Sequence, residues 1–499
     1  MAERPVNLMA IARETLLRFG FLVESPPAAQ AEAAGITEPD FTRLSVPDLS
    51  GFLWSSIDND DSRDLDQIEF LKTDPKGTRL YIGIADVTAL VLQDDALDQA
   101  AQHNTTSLYT GVRTFPLLPE KLSCDLTSLV EGKKRLAVVI EMLFSTDGRT
   151  LESSVYRAIV QNQAQLAYNA VAAWLDKAPP DNSTVGLRVL EKIRASTALQ
   201  DQLSRQHALA GTLRAKRIEA GALSFETVEM RPTLLPDGRW ELKAGMPNSA
   251  THLIEDFMIA ANQATVAFLQ NKSFPSLRRV VRTPKNWPRI MELAAQHGVT
   301  LPAEPDAKAL EDYLASAKQK DPDHFPDLSL SVIKLLGRGE YVVAAPGTQA
   351  AGHFALAIEG YSHSTAPNRR YPDVLTQRLL KAAAAGEKAP YSTEALALLA
   401  QHCTQKEDDA NKAERSVHKS LAAAAMAHQV GQTFEGFITG ASDKGVWVRL
   451  LKPPIEGKIE GAAAGLSVGD RVVVKLISTD PWRGYIDFNV ISPVSSKKT

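Results

Sequence analysis

Two changes of hydrophobic periodicity divide the chain into three parts, and this division limits the folds that it can adopt. Residues 46–170 read mostly as strands, with period-2 alternation in RLYIGIADVTALV and an apolar run in RLAVVIEMLF. Helical spacing dominates from about 186 to 425, as in HLIEDFMIAANQATVAFL. Short strands punctuated by glycine occupy 431–490. Strands, helices and strands in separate blocks predict an α+β protein with more than one domain.

The two ends of the chain predict two small units around a larger one. About five strands within roughly sixty residues predict a C-terminal β-barrel of the OB type. At the other end, apolar residues recur at helical spacing, and Pro26 and Pro27 open a second short helix that Gly35 closes. A helix-turn-helix and a plain two-helix cap would both give this N-terminal pattern. The predicted domains are 1–45, 46–428 and 429–499.

Length and composition exclude several classes of protein. A chain of 499 residues that is 44% hydrophobic and 23% charged has enough apolar sequence for a substantial core, which a mainly disordered chain lacks. Two cysteines, Cys124 and Cys403, supply neither a disulfide framework nor a four-thiolate zinc site, which favours a reducing compartment. No stretch approaches ~18 consecutive apolar residues, so no membrane span is expected. These observations predict a cytoplasmic protein.

The acidic residues are concentrated near the N-terminus. Residues 1–100 carry 18 acidic and 8 basic residues, although the net charge of the whole chain is only −4. The densest run, IDNDDSRDLDQIEF, directly follows the apolar strand FLWSSI. Asp64 and Asp66 stand two apart, so both carboxylates face one side of an extended chain. Such a run is compatible with a solvated loop, but clustered carboxylates next to a buried strand also suit a hard ion such as Mg²⁺ or Mn²⁺.

A second polar constellation precedes a predicted amphipathic helix. The segment YSHSTAPNRRYPDVLTQRLL places Arg369 and Arg370 just before that helix. Arginine grips phosphate oxygens with two parallel hydrogen bonds, and a cation in the first turn opposes the helix dipole unless an anion accompanies it. Pairing with surface acids is the alternative explanation of these arginines.

Taken together, these segments resemble the ribonuclease II (RNB) exoribonucleases. IDNDDSRDLDQI is similar to the metal-site signature of that family, and further blocks follow in the family's order across about residues 50–420. These blocks are YIGIADVTALV, FPLLPEKLSCDLTSL, HLIEDFMIAAN, HFALAIEGYSHSTAPNRRYPDVLTQRLL and AERSV. The C-terminal barrel resembles an S1-type RNA-binding domain. The first 45 residues depart from the family, whose members commonly begin with two cold-shock barrels.

The resemblance implies a metal-dependent, processive 3′→5′ exoribonuclease that releases 5′-mononucleotides from single-stranded RNA, acting as a monomer. Asp58, Asp64 and Asp66 fall on three of the family's four metal-site aspartates, and Gln67 occupies the fourth position. An amide oxygen can ligate Mg²⁺ but contributes no charge. A catalytically weakened RNA-binding protein of the same fold is therefore the alternative function. A DNA-binding regulator built on the N-terminal helices is a more distant one.

The resemblance also assigns residues to the RNA. Arg369 would stabilise developing charge near the scissile phosphate, and Arg370 would contact the backbone. Tyr109 would stack near the 3′-terminal base, unless it is a core tyrosine at a strand end. Glu414, in AERSV, fits a channel residue and a helix-surface residue equally well. In the barrel, Phe437 and Trp447 would stack on RNA bases. The basic side chains near them are Lys444, Arg449, Lys458 and Lys475. Both rings would serve equally well as barrel core.

Overall fold

The computed structural model describes residues 6–179, 183–227, 229–234, 240–322, 324–348, 351–442, 445–461, 465–466 and 469–493. Lys444, one of the basic residues predicted to lie near the aromatic rings of the barrel, lies outside the described residues.

In chain order the helices are α1 (Leu8–Arg18), α2 (Pro27–Gly35), α3 (Ala96–Asn104), α4 (Tyr168–Leu175), α5 (Thr184–Ala195), α6 (Thr197–Glu219), α7 (Ser249–Asn271), α8 (Trp287–Gln296), α9 (Ala307–Lys320), α10 (Phe325–Leu336), α11 (Tyr371–Ala385) and α12 (Thr393–Met426).

The strands are β1 (Trp54–Asp58), β2 (Gln67–Asp74), β3 (Gly77–Ala85), β4 (Leu108–Tyr109), β5 (Thr114–Phe115), β6 (Lys134–Phe144), β7 (Thr150–Ala167), β8 (Glu229–Leu234), β9 (Trp240–Gly245), β10 (Ser276–Val280), β11 (Glu340–Ala344), β12 (Thr433–Ser442), β13 (Gly445–Leu450), β14 (Glu456–Ile459), β15 (Arg471–Asp480) and β16 (Tyr485–Pro493). The predicted α+β class is confirmed. Four strands, β8 to β11, interrupt the region whose pattern is mainly helical.

Two closed barrels account for most of the strands. The first has the order β1-β2-β3-β6-β7 and closes through parallel pairing of β1 with β7. Helices α4, α5, α6, α7 and α11 pack against its strands. One large apolar core joins this barrel to the helices, with Trp54 and Phe257 among its largest buried side chains. Strand β1 ends at the acidic run, so the barrel fixes where that run begins.

The second barrel confirms the OB-type prediction. Its order is β12-β13-β14-β16-β15, closed by antiparallel pairing of β12 with β15. Its small core includes Ile438, Val448 and Phe488, and Met426 at the end of α12 packs into the same core. The C-terminal end of α12 therefore forms part of the barrel's core, and this packing positions the barrel on the helix.

The two N-terminal helices pack on the larger body. Asn7 caps α1 by accepting a hydrogen bond from the Ala10 backbone N–H at 3.0 Å. Helix α1 packs against α12, and Leu16 shares a core with Val417 of that helix. Helix α2 packs on α3 and ends at Gly35, as its sequence pattern predicts. The domain limits at 45 and 428 stay predictions.

Candidate active site

The acidic run connects two neighbouring strands of the first barrel. Asp58 is the last residue of β1, and its Oδ1 accepts hydrogen bonds from the Asn59 N–H at 2.7 Å and the Ser62 hydroxyl at 2.8 Å. These bonds fold the run into a turn before β2 begins at Gln67. The turn is anchored further along, where the Leu65 N–H donates to the Ser128 hydroxyl at 2.9 Å.

The arginine segment forms a second turn, just before α11. The Ala366 carbonyl accepts hydrogen bonds from the N–H groups of Arg369 and Arg370 at 3.2 and 2.9 Å. Asp373, in the first turn of α11, closes the structure because its Oδ1 accepts from the Ala366 N–H at 2.8 Å. The backbone of both arginines is thus held by short-range bonds. This fixes the direction in which Arg369 leaves the turn.

Asp66 joins the two turns. Its Oδ1 accepts a hydrogen bond from the Asn368 N–H at 2.8 Å, and its Oδ2 accepts from Arg369 Nε at 3.0 Å. The Asp66 side chain is 1% exposed, whereas that of Arg369 is 44% exposed. One end of this ion pair is therefore buried in protein, while the guanidinium keeps donors that a substrate can reach.

Burial controls the ionisation of the carboxylates. Burial raises the pKa of Asp66 to about 7, although Arg369 and the Asn368 N–H both stabilise its ionised form. Burial also raises the pKa of Asp64, and the neighbouring Asp58 charge adds to that effect. The acidic side chains are thus close enough to repel one another. A bound cation would offset this repulsion.

The donor set fits a hard divalent cation in chemistry and charge. Asp58, Asp64 and Asp66 offer oxygen atoms, the ligand type that Mg²⁺ prefers. In the part of the chain that the structure describes, however, no three His, Cys, Asp or Glu side chains converge closely enough to hold an ion. The carboxylates of Asp58 and Asp66 are instead hydrogen-bonded to protein donors.

Gln67 lies at the edge of this group. It is the first residue of β2, pairs across the sheet with Ile84 of β3, and its side chain is buried at 4% exposure. Its role as a metal ligand stays a prediction.

Backbone contacts hold Tyr109 beside the turn that carries Arg369. The Arg369 carbonyl accepts hydrogen bonds from the Ser107 N–H at 3.0 Å and the Thr106 hydroxyl at 3.3 Å. Two residues later, the Tyr109 N–H donates to Glu414 Oε1 of α12 at 2.7 Å. These contacts hold β4 between the arginine turn and α12.

The ring of Tyr109 lies in the electrostatic field of the site. Burial raises the pKa of Tyr109 to about 12; Arg369 opposes the shift, and the carboxylates of Asp64, Asp66 and Asp58 add to it. With 39% of its surface exposed, Tyr109 is not a core tyrosine. An accessible ring beside a guanidinium and three carboxylates is suited to stack on a base next to a phosphate.

The other predicted contacts lie in different surroundings. Arg370 donates to Asp373 Oδ1 at 2.8 Å and keeps 25% of its side chain exposed, so it forms a partly buried ion pair within the turn. Phe437 and Trp447 are half-buried on the barrel, while Ile438 and Val448 next to them fill its core. Both rings therefore face outward in part. Contacts of these residues with RNA stay predictions.

Two positioning residues give little signal in the sequence. Asn368 orients Asp66 through its backbone, and its side-chain Oδ1 accepts a hydrogen bond from the Thr127 hydroxyl at 2.5 Å. Asp373 is recognisable only as an acidic residue in the first turn of a helix, a common arrangement. Its bond to the Ala366 N–H depends on how the preceding turn folds. The sequence alone does not reveal that fold.

Comparisons with known proteins identify the family of this chain. Residues 46–386 match the RNB domain, and residues 432–491 match the C-terminal S1 domain of RNase II-type exonucleases. The first match covers well over half of the chain. This chain belongs to the RNB-domain family.

Among RNB relatives, ribonuclease R of Escherichia coli is 30% identical over 94% of this chain and 60% of its own length. Ribonuclease R of Aquifex aeolicus is 29% identical over 91% of this chain and 66% of its own length. The chain thus spans about three fifths to two thirds of the length of these relatives.

Solved structures of other proteins show the same fold. RNase R of Mycoplasma genitalium, in complex with ribose-methylated single-stranded RNA, matches with a TM-score of 0.84 at 22% identity over 97% of this chain and 78% of that chain. Yeast Ssd1, described as a pseudonuclease, matches with a TM-score of 0.71 at 17% identity over 95% of this chain and 59% of its own.

Among the described residues, none of the helices combines the length and apolar character that a bilayer crossing requires.

Proposed function

We propose that this RNB-family chain is a metal-dependent, processive 3′→5′ exoribonuclease that hydrolyses single-stranded RNA to 5′-mononucleotides. One observation carries the proposal: a half-exposed Arg369, fixed by a buried Asp66, next to two further carboxylates and the accessible ring of Tyr109. The names of the ribonuclease R relatives and the RNA complexes of the Mycoplasma protein support it.

Asp58, Asp64 and Asp66 would hold the metal, with Gln67 as a neutral fourth ligand. When bound, Mg²⁺ or Mn²⁺ supplies a positive centre that activates water and balances charge on the leaving oxygen. The chain's own contribution is to hold these oxygens on a turn between two barrel strands, with the Asp66 side chain buried at the end of that turn. Arg369 binds an oxygen of the scissile phosphate and stabilises the charge that develops on it.

Tyr109 would stack on a base at the 3′ end of the strand. Stacking tolerates any base, since every base has a face, and therefore suits hydrolysis without sequence preference. Phe437 and Trp447 of the S1-type barrel, together with Arg370, would add contacts further along the strand. A monomer in the cytoplasm is the setting that we propose for this activity.

A second function is favoured by two specific observations. Gln67 removes one negative charge from the site, and no three ligating side chains converge among the described residues. Both agree with an RNA-binding protein whose catalysis is weakened. The structural similarity to the pseudonuclease Ssd1 shows that the fold also occurs in a protein described as inactive.

The first experiment separates the two functions. The full chain is incubated with a 5′-labelled single-stranded RNA of ~30 nucleotides, long enough to occupy a channel and an OB-type barrel together. Parallel reactions contain Mg²⁺, Mn²⁺ or EDTA. Metal-dependent shortening to a small labelled end product supports the exoribonuclease. Tight binding with intact RNA in both metals supports the weakened RNA-binding protein instead.

A further inference from the structure

Glu69 is a buried carboxylate that the proposed mechanism does not use. It lies on β2, two residues after Gln67, and its side chain is 0% exposed. In the part of the chain that the structure describes, neither of its carboxylate oxygens has a hydrogen-bond partner. Taking a carboxyl group out of water without a partner costs free energy, and native proteins contain few such groups. The stability of the fold therefore does not account for a carboxylate at this position.

The cross-strand neighbours of Glu69 do not satisfy its side chain. Strand β2 lies between β1 and β3, and Glu69 pairs with Ser55 on one side and with Ile82 on the other. Side chains paired in this way share a face of the sheet. The Ser55 hydroxyl donates to the backbone carbonyl of Glu69 at 3.5 Å, and Ile82 has no polar group in its side chain. Both neighbours thus leave the two carboxylate oxygens without a donor.

Glu69 lies on the same face of β2 as Gln67. Side chains alternate along a strand, and β2 pairs with β3 without a shift of register from Gln67 to Asp74. Burial raises the pKa of Glu69 well above its usual range, and the charge of Asp58 adds to that effect. A like charge has this influence only at short range. The Glu69 carboxylate is therefore on the Gln67 side of the strand and within electrostatic reach of Asp58.

The candidate metal site has one carboxylate fewer than the RNB pattern. Asp58, Asp64 and Asp66 fall on three of the four aspartate positions, and Gln67 falls on the fourth. Arg369 pairs with Asp66 and offsets part of the remaining negative charge. Affinity for a hard divalent cation depends on the number of charged oxygen ligands. A further carboxylate on the Gln67 face would restore the missing charge.

We propose that Glu69 supplies the negative charge that Gln67 lacks, and so stabilises a divalent cation held by Asp58 and Asp66. The inference rests on the proposed function for its metal, and it adds a residue that the resemblance to the RNB exoribonucleases does not assign. A buried carboxylate attracts a cation strongly because protein screens charge less than water does. The cation in turn offsets the cost of burying the carboxylate. This mutual stabilisation explains a carboxylate that has no protein partner.

The first test moves the charge from one position to the other. Glu69→Gln removes the charge at nearly constant volume, and Glu69→Gln/Gln67→Asp returns a charge to the same face of β2. Asp61→Asn, an exposed change in the run between β1 and β2, removes one charge elsewhere and is the control. Binding of Mn²⁺ alone to the full chain, without RNA, is measured by electron paramagnetic resonance for wild type and all three variants.

We expect Glu69→Gln to weaken Mn²⁺ binding about 10- to 100-fold, the usual loss when a group that supports a metal site is removed. The double variant should bind Mn²⁺ nearly as tightly as wild type, and Asp61→Asn should not differ from wild type. Wild-type affinity for Glu69→Gln would overturn the proposal. Equal losses in Glu69→Gln and Asp61→Asn would also overturn it, because they indicate an effect of net charge. A loss that Gln67→Asp does not restore would overturn it as well.

Stability provides a second readout that remains informative if Glu69→Gln folds poorly. Glu69→Leu replaces an unpartnered buried carboxylate with an apolar side chain, so its urea midpoint in EDTA should equal or exceed that of wild type. Mn²⁺ should raise the wild-type midpoint, because it binds the folded chain, and this rise should be largely lost in Glu69→Leu. A lower midpoint in EDTA with an undiminished rise in Mn²⁺ would identify Glu69 as a structural residue and overturn the proposal.

Mn²⁺ binding without RNA does not depend on hydrolysis, so the two proposals fail separately. If Glu69→Gln weakens Mn²⁺ binding but the wild-type chain leaves RNA intact in Mg²⁺ and Mn²⁺, the exoribonuclease is contradicted and the role of Glu69 stands. If the wild-type chain shortens RNA in a metal-dependent way while Glu69→Gln binds Mn²⁺ as wild type does, only the role of Glu69 is contradicted.

Discussion

Asp66 combines two properties that usually exclude each other. It is nearly fully buried, which disfavours its charge, yet it holds a guanidinium and a backbone N–H in place. Burial raises its pKa to about 7 despite these partners. A further cation beside this buried carboxylate would stabilise its ionised form. For this reason it is the residue on which the metal assignment is most directly tested.

Asp66→Asn should abolish shortening of RNA while leaving binding largely intact. The amide keeps the shape of the side chain but lacks the charge, so we expect the rate to fall by about 10²-fold or more. Rates come from the labelled-RNA assay and affinities from anisotropy. Asp61→Asn, an exposed change in the same run, is the matched control and should behave as wild type. Wild-type rates for Asp66→Asn would contradict the metal assignment.

Tyr109→Ala should change the length of the shortest end product. Without the ring, the terminal base loses a stacking partner worth about 1–3 kcal/mol, and short products dissociate earlier. Tyr109→Phe keeps the ring and should keep the wild-type ladder on a sequencing gel. If the alanine variant also gives an unchanged ladder, stacking by Tyr109 is ruled out.

At the scale of elements, the N-terminal turn of α11 organises the site. Asp373 accepts hydrogen bonds from the Ala366 N–H and from Arg370, and its side chain is fully buried. The turn that it closes presents Arg369 to Asp66. An acidic residue in the first helical turn also faces the positive end of the helix dipole. Stability and site geometry therefore depend on the same carboxylate.

Asp373→Ala should lower the free energy of unfolding by about 3 kcal/mol, because Arg370 would be left as a partly buried charge without its partner. Urea denaturation measures this loss. Asp373→Asn keeps an acceptor for the Ala366 N–H and should cost less. Equal losses for the two variants would show that the charge of Asp373 does not matter. No loss for the alanine variant would contradict the structural role of the ion pair.

At the scale of the whole molecule, α12 connects the parts of the chain. This 34-residue helix packs against α1, β11, β9 and both strands β15 and β16 of the second barrel, and Glu414 on it holds β4.

Two half-buried histidines, His353 and His363, have lowered pKa values. Burial lowers the pKa of His353 to about 4 and places that of His363 well below its usual value. His363 Nδ1 lies 2.8 Å from the Tyr341 hydroxyl.

These histidines predict a loss of stability in mild acid. Below about pH 6.5 the unfolded chain binds protons at both sites and the folded chain does not, so each residue costs up to about 1.4 kcal/mol per pH unit as pH falls. Above pH 6.5 neither state is charged there and the contribution disappears. Urea denaturation from pH 7 to 5, for wild type and His363→Gln, should show a smaller pH dependence in the variant. Parallel curves would contradict the lowered pKa of His363.

The second barrel, the strand character of residues 46–170 and the helices α1 and α2 could be predicted from the sequence because they rest on local signals, whereas the closure of the first barrel through β1 and β7 was not predicted. Period-2 alternation, glycine spacing and a proline-opened helix each lie within a few residues of one another. The strands β8 to β11 were not predicted, since they pair only as short two-stranded sheets within a helical region. Their formation depends on packing against helices, which single-sequence periodicity does not register.

The sequence by itself determined the composition of the candidate site: a carboxylate run after a buried strand and an arginine pair before a helix. Only the tertiary structure decided that these two segments meet, because the Asp66–Arg369 contact joins residues 303 positions apart. It also decided that Tyr109 is accessible and that Arg370 pairs with Asp373. Local patterns follow from neighbouring residues, whereas such contacts depend on how barrels and helices close around one core.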